Sequence, residues 1–255
     1  MTRNALASQL KVEELQQIKP EISLLLPVYN EAETIEAVIS EFYNEICSQI
    51  PMEIVVAEDG STDGTKEILR NLAQKIPMKL ILGEKRKGYS KGLIDGLSNV
   101  DTEYVVFVDS DGQHLARDFW KLYNLKDEWD IISGWRVKRA DGFHRKVMSG
   151  VFQLMAKILF KLPPFRDITA PYRLVRTKVA KEIASEFKYM NESFWTEFTI
   201  RAYKRGFSVT EIPVAHKSRK HGSTNVYKPK KLLKIVFSQF KGMLKLWIEL
   251  NKKHD

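Results

Sequence analysis

Tyr104-Val105-Val106-Phe107-Val108-Asp109-Ser110-Asp111-Gly112-Gln113-His114 is an apolar run that ends abruptly in two carboxylates one residue apart. Its β-branched and aromatic residues predict a strand over 104–108. No polar residue interrupts them, so both faces of that strand are expected to be covered. Carboxylates at this spacing, followed by the carboxamide of Gln113, offer hard oxygen ligands to Mg²⁺ or Mn²⁺. Such ions keep several waters and complete their shell with substrate phosphate oxygens. His114 reads as a loop residue, because no second histidine stands near the pair.

The same theme extends outward in both directions. Short apolar runs over 22–26, 53–57, 78–82 and 129–133 alternate with helical periodicity over 33–49 and 65–76. Strands alternating with helices imply an α/β fold whose mostly parallel central sheet is flanked by helices on both faces. Ligands bind beyond the carboxyl ends of such strands, and the unusual residues fall there. Pro27-Val28-Tyr29-Asn30-Glu31 follows the first strand, where a proline fixes the exit turn, a tyrosine ring can stack on a base and a carboxylate can bind base or ribose. Glu58-Asp59-Gly60-Ser61-Thr62-Asp63-Gly64 follows the second. Asp63 or Thr62 suits a helix cap, whereas Asp59 at a strand end suits base or ribose recognition.

Positive charge is concentrated rather than spread, within a net charge of +9. No acidic residue lies between Glu211 and Glu249, a span that holds Lys217, Arg219, Lys220, Lys228, Lys230, Lys231, Lys234, Lys241 and Lys245. A second basic stretch runs from Arg136 to Arg166, broken by Asp141. Such clusters point to a phosphate-bearing partner. Two helices are expected in this half, over 147–162 and 232–250. In the first, Val147, Val151, Leu154, Met155, Ile158 and Leu162 oppose Gln153, Lys157 and Lys161. In the second, Leu233, Val236, Phe240, Met243, Leu244 and Trp247 oppose Lys231, Lys234, Ser238, Lys241 and Lys245. Helices of this kind lie in a membrane interface or pack on a core. The single cysteine, Cys47, excludes an internal disulfide and fits a reducing compartment. The first twenty residues hold no apolar run and no stretch approaches ~20 apolar residues, so neither a secretory leader nor a spanning helix is expected. The expected location is therefore cytoplasmic, peripheral on the inner membrane face.

Together these segments resemble glycosyltransferase family 2, the inverting GT-A fold, and within it the dolichyl- and polyprenyl-phosphate sugar transferases. The resemblance covers 21–227, through LLLPVYNEAETI, IVVAEDGSTDGT, RKGYSKGLIDGL, YVVFVDSDGQH, IISGWR, RDITAPYRLVR and EIPVAHKSRKHGST. It leaves a short helical extension over 1–20 and a basic amphipathic helix over 228–255. By this similarity Pro27, Tyr29, Glu31, Asp59 and the backbone of Ala57 hold the nucleoside. Asp109 and Ser110 lie against ribose and diphosphate, and Asp111 and Gln113 hold the metal. Arg136, Arg145 and Ser149 contact the acceptor phosphate, and Arg219 closes on the diphosphate. Asp167 and Glu197 match acidic positions of the family.

The chain also departs from the family pattern. Glu58 replaces aspartate. Gly88-Tyr89-Ser90-Lys91-Gly92 replaces Gly-Leu-Gly-x-Ala, and Ala170-Pro171-Tyr172 replaces Ser-Gly-Phe. Asn225 stands where lysine is usual, and the family's frequent C-terminal transmembrane helices have no counterpart here.

The expected reaction takes a sugar from a nucleotide diphosphate, GDP-mannose or a UDP-hexose, to a polyprenyl or dolichyl phosphate at an anionic membrane surface. A phosphate acceptor is already anionic, its second pKa being about 6, and needs no strong base. A hydroxyl acceptor on a soluble family 2 enzyme is the alternative, with Asp167 or Glu197 as base. A nucleotidyltransferase is a further one. Nucleic acid is not expected as a partner, because aromatics are not interleaved with the basic residues on a strand platform.

Overall fold

The computed structural model describes residues 18–137, 143–218 and 229–252, with side chains for all of these except 143–147 and 229–236. The expected extension over 1–17, and Arg219 and Asn225, lie outside the described residues, as does the side chain of Arg145.

Seven strands make one sheet: β1 (Ile22–Val28), β2 (Met52–Glu58), β3 (Lys79–Leu82), β4 (Tyr104–Phe107), β5 (Ile131–Arg136), β6 (Arg173–Arg176) and β7 (Val209–Val214). Their spatial order is β3-β2-β1-β4-β6-β5-β7. β6 runs antiparallel to both β4 and β5, and the other described pairings are parallel. The mostly parallel sheet read from the sequence is thus present. The helices are α1 (Ile35–Phe42), α2 (Thr65–Ala73), α3 (Tyr89–Ser98), α4 (Phe119–Tyr123), α5 (Phe143–Phe160), α6 (Thr177–Ser185), α7 (Phe194–Lys204) and α8 (Pro229–Lys252). The long helix expected over 33–49 is α1 followed by a π-helical stretch, Tyr43–Cys47.

All seven residues of β1 are buried, because helices cover both of its faces. Leu24 and Leu26 point into one core layer with Ile35, Ile39, Phe42, Ile54, Val56 and Phe119. Leu25 points into the opposite layer with Val55, Leu93, Leu97, Val105, Phe107 and Trp195. Each fully buried side chain of this size contributes about 1.5–3 kcal/mol. The α3 helix sits so close to the sheet that a Cβ at Gly96 would lie 2.6 Å from Leu25 Cδ1 and 2.8 Å from Ala57 Cβ. That contact fixes the height of α3, and with it the place of Tyr89 at its start.

A third layer joins α5, α7 and α8 through Ala156, Phe160, Ile200, Met243 and Leu246. Here the two-sided division read from the sequence is corrected. Met243 faces inward with Leu246, and Gln153, expected on the wet side of α5, is buried. Both helices also carry an outward apolar face. Val151, Leu154 and Ile158 on α5 are 54%, 57% and 69% exposed, and Phe237 on α8 is 71% exposed, joined by Phe240, Leu244, Trp247 and Ile248. Among the described residues, no helix is long and apolar enough to cross a membrane.

Candidate active site

β1 and β4 are neighbours although β2 and β3 lie between them in sequence. Chain progression therefore reverses between these two strands, which opens a crevice at their carboxyl ends. The loops that leave them are clasped together. Ser110 Oγ donates to the Pro27 carbonyl at 2.9 Å, and Thr34 Oγ1 reaches the Ser110 carbonyl at 3.2 Å and Glu31 Oε2 at 2.9 Å. The loop after β2 is stitched to the loop after β1. Asn30 N–H donates to Ser61 Oγ at 2.9 Å, Glu31 N–H to Thr65 Oγ1 at 3.0 Å and Ala32 N–H to Asp63 Oδ2 at 3.1 Å. Asp63 also accepts from Thr65 N–H at 3.1 Å, at the start of α2. Burial alone would raise the Asp63 carboxyl, but its hydrogen bonds from Thr65 and Ala32 hold it below the ordinary carboxylate range.

The end of β2 is covered by the β3–α3 loop, part of the RKGYSKGLIDGL segment. Asp59, 6% exposed, accepts from the Lys87 and Gly88 N–H groups at 2.7 and 2.8 Å, which pins the β3–α3 loop across the end of β2. Gly60 is required beneath it, since its φ is +74° and a Cβ there would come within 2.5 Å of the Lys85 backbone. Arg86 in this loop lays its guanidinium 4.0 Å from the centre of the Tyr29 ring, an aromatic–cation stack. Glu58 is 3% exposed; it accepts from Ser61 N–H and faces Lys66 at 3.8 Å. Ala57 lies within the sheet ladder, opposite Pro27 on one side and Ile81 on the other.

Asp109 and Asp111 meet at the centre of the crevice. The Asp109 carboxyl is pushed up to about 7, first by burial and second by the charge of Asp111 beside it; Tyr89 and Arg136 act in the opposite direction. Tyr89 donates its hydroxyl to Asp109 Oδ1 at 2.8 Å and accepts from Trp195 Nε1 at 2.8 Å. Asp111 Oδ1 accepts from Gln113 N–H at 3.1 Å. Gln113 is bound to Lys217 in both directions, with Lys217 N–H donating to its carbonyl at 2.8 Å and its Nε2 donating to the Lys217 carbonyl at 2.9 Å. The carboxamide oxygen is the end that remains to face a cation. A divalent ion fits this donor set. Two adjacent carboxylates too close to carry both charges are relieved by a cation. His114 is buried next to His216, with ring centroids 5.4 Å apart. First burial and then the neighbouring His216 push its pKa down to about 3, so it is a neutral core ring.

On the opposite side, Arg136 and Asp167 form a bidentate pair. Nε lies 2.7 Å from Oδ2 and Nη2 lies 3.1 Å from Oδ1, while Nη2 also donates to Thr169 Oγ1 at 2.8 Å. Glu211 holds the Arg166 and Asp167 N–H groups. The structure thus brings together Asp167, expected as a base, and Arg136, expected as a phosphate contact, as partners of each other. Ser149, on α5, accepts from Gln153 Nε2 at 3.3 Å. Glu197 is placed differently from its expected role. It is fully buried and accepts from the Lys188, Tyr189 and Met190 N–H groups and from Arg201. Its carboxylate is thereby divided between holding residues 188–190 against α7 and pairing with Arg201. Tyr89, Trp195, Arg86 and Lys217 are the site residues that sequence reasoning missed. The first and third lie within RKGYSKGLIDGL, where a tyrosine in place of leucine was the available signal.

Residues 23–184 match glycosyl transferase family 2, and the chain belongs to that family. The nucleotidyltransferase alternative falls with this finding. The chain is 33% identical over 156 residues to the dolichol-phosphate mannosyltransferase of Pyrococcus furiosus, across 59% of this chain and 44% of that one. It is 28% identical over 216 residues to the polyprenol monophosphomannose synthase of Mycolicibacterium smegmatis, across 78% of each. The match therefore spans less than half the length of the Pyrococcus relative. Glucosyl-3-phosphoglycerate synthase from Mycobacterium tuberculosis, solved with Mn²⁺ and UDP-glucose, shares the fold at a TM-score of 0.65 and 16% identity, over 92% of this chain and 82% of that one. The architecture is the GT-A fold, and the chain is a glycosyltransferase.

Proposed function

We propose that this chain transfers a sugar, with inversion, from a nucleotide diphosphate to a polyprenyl or dolichyl phosphate at an anionic membrane surface. The observation that carries the proposal is the outward apolar face on each of α5 and α8, two helices that pack together in one core layer. Val151, Leu154, Ile158, Phe237, Phe240, Leu244, Trp247 and Ile248 are all exposed there, alongside exposed Lys161, Lys241 and Lys245. Apolar side chains bordered by lysines suit burial among acyl chains and anionic headgroups. The two relatives with polyprenol or dolichol phosphate in their names support the same acceptor class.

In the reaction, an acceptor phosphate oxygen bonds to the anomeric carbon on the face opposite the nucleotide. The bond from that carbon to the β-phosphate oxygen breaks, and its electron pair leaves with the nucleoside diphosphate. Tyr29, Arg86 and Asp59 surround the nucleoside, Asp109 and Ser110 face ribose and diphosphate, and Arg219 adds positive charge near the leaving group. A divalent ion held by Asp111 and Gln113 would supply Lewis-acid stabilisation of the departing oxygen. Asp167 and Thr169 hold the Arg136 guanidinium in a fixed orientation, with Arg145 and Ser149 completing the acceptor-phosphate side. A phosphate acceptor fits these residues better than a hydroxyl. Asp167 is clamped by Arg136 and Glu197 by Arg201, which leaves neither as a ready proton acceptor.

The test supplies radiolabelled GDP-mannose, UDP-glucose or a UDP-N-acetylhexosamine with Mn²⁺ and vesicles that contain anionic lipid and polyprenyl phosphate. The expected product is an organic-soluble sugar phosphodiester with release of nucleoside diphosphate. A chain that stays in solution during flotation with these vesicles, and glycosylates only a soluble hydroxyl acceptor, refutes the proposal.

A further inference from the structure

Tyr89 opens α3 directly after Gly88, whose φ of +100° is a glycine conformation. Its hydroxyl lies between two elements far apart in sequence, 2.8 Å from Trp195 Nε1 and 2.8 Å from Asp109 Oδ1. An indole N–H can only donate. The phenol oxygen therefore accepts from Trp195, and its one proton is committed to Asp109. With Asp109 ionised, the polarity of the chain Trp195 to Tyr89 to Asp109 is fixed by donor and acceptor type.

The middle of this chain and its Trp195 end are braced. Asp59 holds the Gly88 N–H, and Ser90 Oγ donates to the Asn191 carbonyl at 2.7 Å. Trp195 is 5% exposed and packs edge-on to Phe107 at 5.0 Å. The Arg173 guanidinium lies 4.9 Å from the Trp195 ring, and its Nε and Nη2 donate to the Ala170 and Ile168 carbonyls at 2.7 and 3.0 Å. Those carbonyls flank Thr169, which hydrogen-bonds Asp167. The chain thus runs from the loop that carries Asp167, the partner of Arg136, to the carboxylate at the end of β4.

We infer that Tyr89 is a positioning residue for transfer, which holds the Asp109 carboxylate in its donor-binding orientation through the hydrogen bond from its hydroxyl. Asp111 repels that carboxylate from close by, so a donor with fixed aim is what keeps it in place. The leucine of the family pattern at this position has no such donor, so the device belongs to this chain's own sequence. The inference rests on the reading of Asp109 as a donor-site residue.

Two measurements test it. In the ligand-free chain, the indole N–H resonance of Trp195 is assigned by its loss in Trp195→Phe. It is expected to move in Tyr89→Phe and also in Asp109→Ala; a resonance unmoved by Asp109→Ala overturns the relay. Calorimetry with Mn²⁺ and UDP or GDP then measures nucleotide affinity. Tyr89→Phe is expected to bind about tenfold more weakly than wild type, and to make less than about twofold difference in the Asp109→Ala background. Wild-type affinity in Tyr89→Phe overturns the positioning role. An equal loss in both backgrounds also overturns it, because the ring would then act on the nucleotide directly. A wild-type chain that binds neither nucleotide refutes the donor-site reading itself, and the resonance measurement still decides whether the relay exists.

Discussion

Replacing Asp109 by Asn should stabilise the ligand-free chain at alkaline pH while impairing its function. The Asp109 carboxyl is raised from 3.8 to about 7 by burial and by Asp111. The folded state therefore binds a proton that the unfolded chain releases at lower pH. Stability is full below pH 3.8 and falls as pH rises towards 7. At 1.36 kcal/mol per unit, roughly three units set a ceiling of about 4 kcal/mol. Solvent reaches part of Asp109 and screens it, so ~2 kcal/mol is expected. For a chain of this size that corresponds to about 4–8 °C in melting temperature. Asn removes the charge and keeps an acceptor for the Tyr89 hydroxyl. The assay is calorimetric melting of wild type and Asp109→Asn in excess chelator at pH 8, 6 and 4. The variant should melt higher at pH 8, by less at pH 6 and not at all at pH 4. No gain at pH 8 would refute the reasoning, and so would a gain that persists at pH 4. With Mn²⁺ and a nucleoside diphosphate present the order should reverse, because the cation compensates the charge that Asn lacks.

Asp111→Asn is expected to abolish transfer while circular dichroism and melting stay native; full activity in excess chelator would remove the metal role. Asp167→Asn removes the carboxylate that pairs with the half-buried Arg136 and should cost about 3 kcal/mol in urea denaturation; a loss under ~1 kcal/mol would show that the pair is not structural. His114 is held neutral with a pKa of about 3, so its contribution is present above pH 6.5 and lost as pH falls from there towards 3. His114→Phe should flatten that part of the stability profile, and an unchanged slope would contradict the assignment. Ile158→Ser combined with Phe237→Ser should reduce flotation with anionic vesicles without lowering the melting temperature; undiminished flotation would locate membrane contact elsewhere.

The parts of the fold that follow simple periodicity were legible in the sequence. β4 announces itself as an unbroken apolar run, and β1 and β2 as apolar runs interrupted only by Ser23 and by Glu53 before the terminal Glu58, because both faces of their buried parts are covered. β6 does not, since its four residues begin and end with arginine, and Arg173 is buried through hydrogen bonds to Ala170, Ile168 and Thr199 rather than through apolar packing. β7 carries Pro213, which is tolerated because the strand lies at the sheet edge. Of the site, the clasped loops after β1, β2 and β4 were readable from their carboxylates and glycines. The pairings across long separations were not. Nothing in RDITAPYR says that Asp167 turns to Arg136, and nothing in FWTEF says that Trp195 reaches Tyr89. Those contacts are set by how α3, α7 and β5 stack in space. The outward apolar faces of α5 and α8 were visible as periodicity, but which side of each helix met the core was decided by Gln153 and Met243.

The cluster around Arg201 bears on how this sequence can vary. A single guanidinium answers Glu197 at 2.7 Å, Glu249 at 2.9 Å and Glu186 at 3.5 Å, and so ties α7 to α8 and to the end of α6. Loss of that one cation would strand the buried Glu197, since Glu249 keeps Lys188 and Glu186 keeps Arg205, whereas loss of any one carboxylate leaves the cation still shared. Inherited change should therefore be strongly asymmetric, with 186 and 249 drifting among descendants and 201 persisting alongside 197 as an inseparable couple.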